Sequence, residues 1–113
     1  MTNQAVTGVL QQFSLAGRTA IVTGAGTGLG YAMAEGLAEA GADVVVVGRR
    51  AERLQSIAEA VRALGRQALP VACDVSDRAA VEQLFRETVA RFGKVDIVVN
   101  NAGITRRAPA VEF

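Results

Sequence analysis

The feature that most constrains the fold of this chain is an alternation. Four short apolar runs rich in β-branched residues, Thr19–Thr23, Asp43–Val47, Ala68–Ala72 and Val95–Val99, are separated by three longer segments of helical spacing. Each run has the length of a strand and is nearly all apolar rather than apolar on every second residue. That pattern belongs to strands covered on both faces, as in a parallel sheet. Between them, Leu29–Ala40 sets Met33, Leu37 and Ala40 on one helical face. Ala51–Leu64 does the same with Leu54, Ile57, Ala58, Val61 and Leu64, and Asp77–Phe92 with Val81, Leu84, Phe85, Val89 and Phe92. A glycine follows each segment (Gly41, Gly65, Gly93), the residue best able to end a helix in the left-handed conformation. Ser76 or Asp77 can cap the start of the third.

The predicted order is β-α-β-α-β-α-β. Parallel neighbours need crossover connections, and those are right-handed. The expected architecture is therefore α/β, a Rossmann-like doubly wound parallel sheet of strand order 3-2-1-4, with its switch point between strands 1 and 4. Residues 1–15 read as an N-terminal arm. Residues 16–113 read as one nucleotide-binding domain that stops after strand 4, with loop from Ile104 onward.

Composition narrows the function. Twelve basic and eleven acidic residues leave a net charge of +1, too balanced for an electrostatic nucleic-acid binder. Cys73 is the single cysteine, so an internal disulfide is excluded, and its thiol reads as a small buried group. There is no histidine, which rules out Ser-His-Asp and Cys-His catalysis and His-ligated zinc. Met1 to Gly17 has no signal-peptide pattern, and no stretch approaches the roughly 18 apolar residues of a membrane helix. The expectation is a cytoplasmic protein with no metal, membrane or nucleic-acid partner.

Strand 1 runs into Thr23-Gly24-Ala25-Gly26-Thr27-Gly28-Leu29-Gly30 and then a helix. Glycines let the backbone approach a pyrophosphate, and the helix start supplies N–H groups and a positive dipole end. The spacing is not Gly-x-Gly-x-x-Gly, because the sixth position from Gly24 is Leu29 and from Gly26 is Tyr31. Nor is it a nucleotide-triphosphatase loop, which requires Gly-Lys-Ser/Thr. It is Thr-Gly-x-x-x-Gly-x-Gly, which resembles the short-chain dehydrogenase/reductase family. Asp74-Val75 after strand 3 and Asn100-Asn101-Ala102-Gly103 after strand 4 extend the resemblance from about Phe13 to Phe113. It implies an NAD(P)(H)-dependent oxidoreductase. Thr23, Gly24, Thr27, Gly28, Leu29 and Gly30 would form the phosphate turn. Asp74 would meet the adenine amino group with Val75 beside it, and Asn100, Ala102 and Gly103 would border the cofactor. Taken alone, Asp74 also suits a turn.

An NAD-binding fold usually carries an acidic residue after strand 2. Here the strand ends Val47-Gly48-Arg49-Arg50. Arginine attracts a 2′-phosphate and pairs with it bidentately, so NADP(H) is favoured over NAD(H), with Arg49 the first contact and Arg50 the second. Both arginines also suit the solvated start of a helix. Phe13-Ser14-Leu15, Thr27–Gly30, the run from Asn100 to Arg107 and Glu112-Phe113 resemble the gluconate, deoxy-gluconate and keto-deoxy-gluconate dehydrogenase branch. That branch often uses NAD, which keeps both cofactors open. It implies a sugar-acid substrate, whose carboxylate Arg106 or Arg107 can pair with.

The family's catalytic Ser and Tyr-x-x-x-Lys have no counterpart in these residues. Tyr31 is followed four residues on by Glu35, and Lys94 is preceded by Ala90. The expectation is therefore the cofactor-binding part of a hydride-transferring enzyme that in full-length form is a homo-oligomer acting on a small molecule, with no catalytic residue of its own. The alternatives are a non-enzymatic nucleotide-binding fragment and an interaction module using the open edge of strand 4.

Overall fold

The structure is a computed structural model, and it describes residues 14–26 and 28–101. The element order is β1 (Thr19–Thr23), α1 (Gly28–Glu39), β2 (Asp43–Gly48), α2 (Ala51–Ala63), β3 (Ala68–Ala72), α3 (Arg78–Phe92) and β4 (Ile97–Asn100). All pairings are parallel and the strand order is β3-β2-β1-β4, as the alternation predicts.

The two central strands explain the nearly all-apolar runs. Successive strand side chains point to opposite faces. Ala20, Val22, Val44 and Val46 therefore meet Leu37 of α1 and Leu54, Ile57 and Val61 of α2. Ile21, Val45 and Val47 face the other way, onto Leu84, Val81 and Phe92 of α3. Both cores close on strands buried on both sides, and each fully buried Val or Ile contributes roughly 1.5–3 kcal/mol.

The helix ends are set by local chemistry. Asp77, not Ser76, caps α3, its carboxylate accepting from the N–H groups of Ala79 and Ala80. Gly41, Gly65 and Gly93 follow the three helices at φ of +115°, +86° and +85°. Ahead of β1, Leu15 packs on the first core and its N–H donates to the Ala40 carbonyl.

Three expectations are corrected. Strand 4 begins at Ile97, not Val95, because the Asp96 carboxylate accepts the Thr19 N–H at 2.8 Å where a strand carbonyl would. Leu64 caps the end of α2 and is exposed rather than part of the buried face. Phe85 and Val89 also stand exposed, since α3 meets the sheet through Val81, Leu84 and Phe92 on a narrower stripe than its apolar pattern spans. No helix among the described residues is long and apolar enough to cross a membrane.

Candidate cofactor site

The carboxyl ends of the strands carry the glycine loop, Gly48 to Arg50, Asp74 and the Asn100-Asn101 pair. Open α/β sheets bind their ligands at this edge. The loop leaves β1 through Gly24, whose φ of +65° a side chain would strain. The Ala25 N–H anchors it to the Val47 carbonyl at 3.0 Å. At Gly30 the fit is tight: a Cβ would collide with the Gly24 carbonyl oxygen and come within 2.7 Å of Ala25 Cα. This glycine lets α1 lie against the loop. At Gly28 the reverse holds, since a Cβ would meet nothing within 4 Å. Gly28 thus borders open space at the helix start, where a pyrophosphate needs room, and Leu29 beside it is exposed. The residues present fit a dinucleotide phosphate.

Thr23 braces the loop from behind. Its hydroxyl lies 3.1 Å from Asn100 Oδ1 and 3.3 Å from the Val99 carbonyl, and it accepts the Asn101 N–H at 3.1 Å. One hydroxyl so ties the end of β1 to the end of β4. The structure turns the Asn100 side chain onto this brace. Asn101 Nδ2 is buried with no hydrogen-bond partner among the described residues.

In front of the loop lies a cavity of about 320 Å³. Gly24, Gly26, Gly48, Arg49 and Arg50 line it, with Arg53 and Leu54 of α2. Among the described residues no carboxylate lines it. Arg49 is largely exposed, and its Nη2 stands 3.6 Å from Asp74 Oδ1, linking the ends of β2 and β3. That same oxygen accepts from the Ser76 hydroxyl at 2.7 Å and the Ser76 N–H at 3.0 Å. These two bonds chiefly, and the Arg49 charge after them, hold the Asp74 carboxyl below its ordinary range. Among the described residues, Arg49 and Ser76 both meet the Asp74 side chain through Oδ1. Val75 beside it is partly exposed. Burial, and then the charges of Asp74, Asp77 and Glu87, push the Cys73 thiol up, away from nucleophilic use.

The structure thus gathers Gly24, Arg49 and Arg50 on one cavity, with Asp74 reached through Arg49. Thr23 and Asn100 form a separate brace. Thr27, Ala102 and Gly103, with Arg106 and Arg107, lie outside the described residues. Sequence reasoning missed Arg53, whose Nη1 donates to the Gly26 carbonyl at 3.0 Å. Its place one helical turn after Arg49 was the only available signal. The turn that Asp74 suits by itself is present, its Oδ1 accepting the Ser76 N–H.

The sequence profile described as short chain dehydrogenase matches residues 18–113, and the chain belongs to this family as its cofactor-binding region. It is 50% identical over 105 residues to the 2-dehydro-3-deoxy-D-gluconate 5-dehydrogenase of Dickeya dadantii, covering 93% of this chain and 41% of that protein. The chain therefore spans less than half the length of that curated relative. Among solved structures, a metagenomic short-chain oxidoreductase in complex with NADP superposes with a TM-score of 0.76 at 40% identity, over 80% of this chain and 41% of the other. An NAD⁺-bound xylitol dehydrogenase superposes with a TM-score of 0.75 at 38% identity, over 78% and 34%.

Proposed function

We propose that this chain holds the adenosine and pyrophosphate end of NADP(H) in an oxidoreductase that interconverts an alcohol and a ketone on a sugar acid. One observation carries the reading: among the described residues, the cavity in front of the glycine loop is lined by Arg49, Arg50 and Arg53 and by no carboxylate. A carboxylate there would repel a 2′-phosphate, whereas guanidinium groups pair with it. When bound, the cofactor supplies a hydride donor or acceptor at its nicotinamide ring. Gly24 and Gly28 keep the phosphate seat clear of side chains. Thr23 holds the loop against β4, and Asp74 offers an acceptor to the adenine amino group. Arg49 takes the 2′-phosphate and Arg50 supports it.

The sugar-acid substrate rests on the likeness to the Dickeya dadantii dehydrogenase, with Arg106 or Arg107 as partner of the substrate carboxylate. The reading also makes the whole protein a cytoplasmic homo-oligomer. Light scattering on the intact protein tests the assembly.

The cofactor reading is tested by titrating the intact protein with NADPH and NADH. NADPH is expected to bind more tightly. Arg49→Ala should weaken NADPH about tenfold or more, the size of a lost charge-assisted hydrogen bond, while NADH changes by less than about twofold. Equal losses for the two would sink the 2′-phosphate assignment.

A further inference from the structure

Arg53 lines the cavity of the proposed function but has so far been given no contact of its own there. It leaves the first turn of α2 beside the glycine loop and stays exposed. There Nη1 donates to the Gly26 carbonyl, and the stem passes 3.5 Å from where a Gly26 side chain would begin. The guanidinium thus stands beside Gly26 on a cavity that Arg49 and Arg50 also line. Arg49 has Asp74 to share its charge, but Arg53 makes no ion pair among the described residues. The start of α2, between Arg50 and Arg53, has no side-chain cap. Cations gathered around one small cavity repel one another, and an anion between them removes that cost. A guanidinium with one N–H on a carbonyl keeps further donors for a phosphate.

From this we infer that Arg53 is a specificity-determining contact for the 2′-phosphate, gripping it from the glycine-loop side while Arg49 holds it from the end of β2. The inference rests on the NADP(H) reading and adds a second, independent arm to it. The competing role is a latch, in which Arg53 only steadies Gly26. A latch would support every dinucleotide equally, because the loop serves the pyrophosphate common to both.

The test is calorimetry on the intact protein with two probes, ADP-ribose and 2′-phospho-ADP-ribose. Arg53→Gln should weaken 2′-phospho-ADP-ribose about tenfold and leave ADP-ribose within about twofold. Arg53→Lys keeps the charge and should fall between wild type and Arg53→Gln. Affinity of the wild type for 2′-phospho-ADP-ribose should also drop more steeply with salt than that of Arg53→Gln. Equal losses for both probes would make Arg53 a latch and overturn the inference, as would no loss for either. If Arg49→Ala removes the preference for the 2′-phosphate and Arg53→Gln does not, this inference alone falls. If the wild type shows no preference between the probes, the NADP(H) reading falls with it.

Discussion

The two ends of the sheet use charge in opposite ways. At the amino end, charged side chains close onto backbone. Asp96 accepts the Thr19 N–H, Asp43 accepts the Gln67 N–H at 2.9 Å, Arg66 donates to the Gly41 carbonyl at 3.1 Å and Arg62 to the Ala68 carbonyl at 3.1 Å. Each bond ties the start of one strand to its surroundings. At the carboxyl end, Arg49, Arg50 and Arg53 line a cavity, with one Arg53 N–H on the Gly26 carbonyl, and the one ion pair there among the described residues, Arg49–Asp74, is long at 3.6 Å. The contrast separates holding from binding. A charge satisfied by backbone stabilises the fold, whereas charges of one sign gathered on a cavity are arranged for something that arrives.

Substitutions at the two ends should therefore fail in different assays. The largest effect is expected at Gly30→Val, where both losses coincide. The new side chain strikes the Gly24 carbonyl and Ala25, which are backbone and cannot step aside. Overpacking should cost about 3 kcal/mol of stability by chemical denaturation, and displacement of the loop should abolish nucleotide binding. An unchanged unfolding midpoint would mean that α1 does not lie on the loop as described.

Next is Gly28→Val. A Cβ at Gly28 meets nothing within 4 Å among the described residues beyond its own helix and chain neighbours, so the stability should stay within about 1 kcal/mol of wild type, the range of helix propensity. Binding of NADPH and NADH should weaken together by about tenfold or more, because the side chain fills the pyrophosphate's space. Wild-type affinity would show that the phosphate lies elsewhere.

The smallest effect belongs to the amino end. Asp96→Asn should lower the melting temperature and leave nucleotide affinity untouched. The Thr19 N–H foremost, then Lys94 at 3.3 Å and Arg18, hold the Asp96 carboxyl below its ordinary value of 3.8. A depressed carboxylate stabilises the fold above that value, and its contribution disappears as pH falls through the lower, folded value. The gap between wild type and Asp96→Asn should thus be full at pH 7 and close in strong acid. A gap that widened on acidification would contradict the pairing of Asp96 with Thr19.

The expected spans of β1 and β3 match the observed ones, because both are short apolar runs bounded by turn residues. The start of β4 was not legible. Asp96 reads as a strand-end polar residue until Thr19, 77 positions away in the chain, is placed beside it. The glycine loop was legible down to its spacing, since a steric requirement for no side chain is written in residue identity. Gly28 and Gly30 read alike in the sequence and differ completely in the fold, one facing open space and the other pressed on backbone.

Local pattern alone settled which segments are strands and helices, where the helices stop and that the sheet is parallel. Periodicity, glycine and β-branching act within a few residues of themselves, so they need no partner to be read. Only tertiary structure decided which charges are spent on the backbone and which surround a cavity. Arg53, Arg62 and Arg66 are indistinguishable as arginines of a helix and its end, whereas Arg49 is marked by its place after β2. The crossover of α2 carries Arg53 to the carboxyl edge, where it lines the cavity and meets the Gly26 carbonyl at 3.0 Å, and Arg62 and Arg66 to the amino edge, where backbone carbonyls at 3.1 Å claim them.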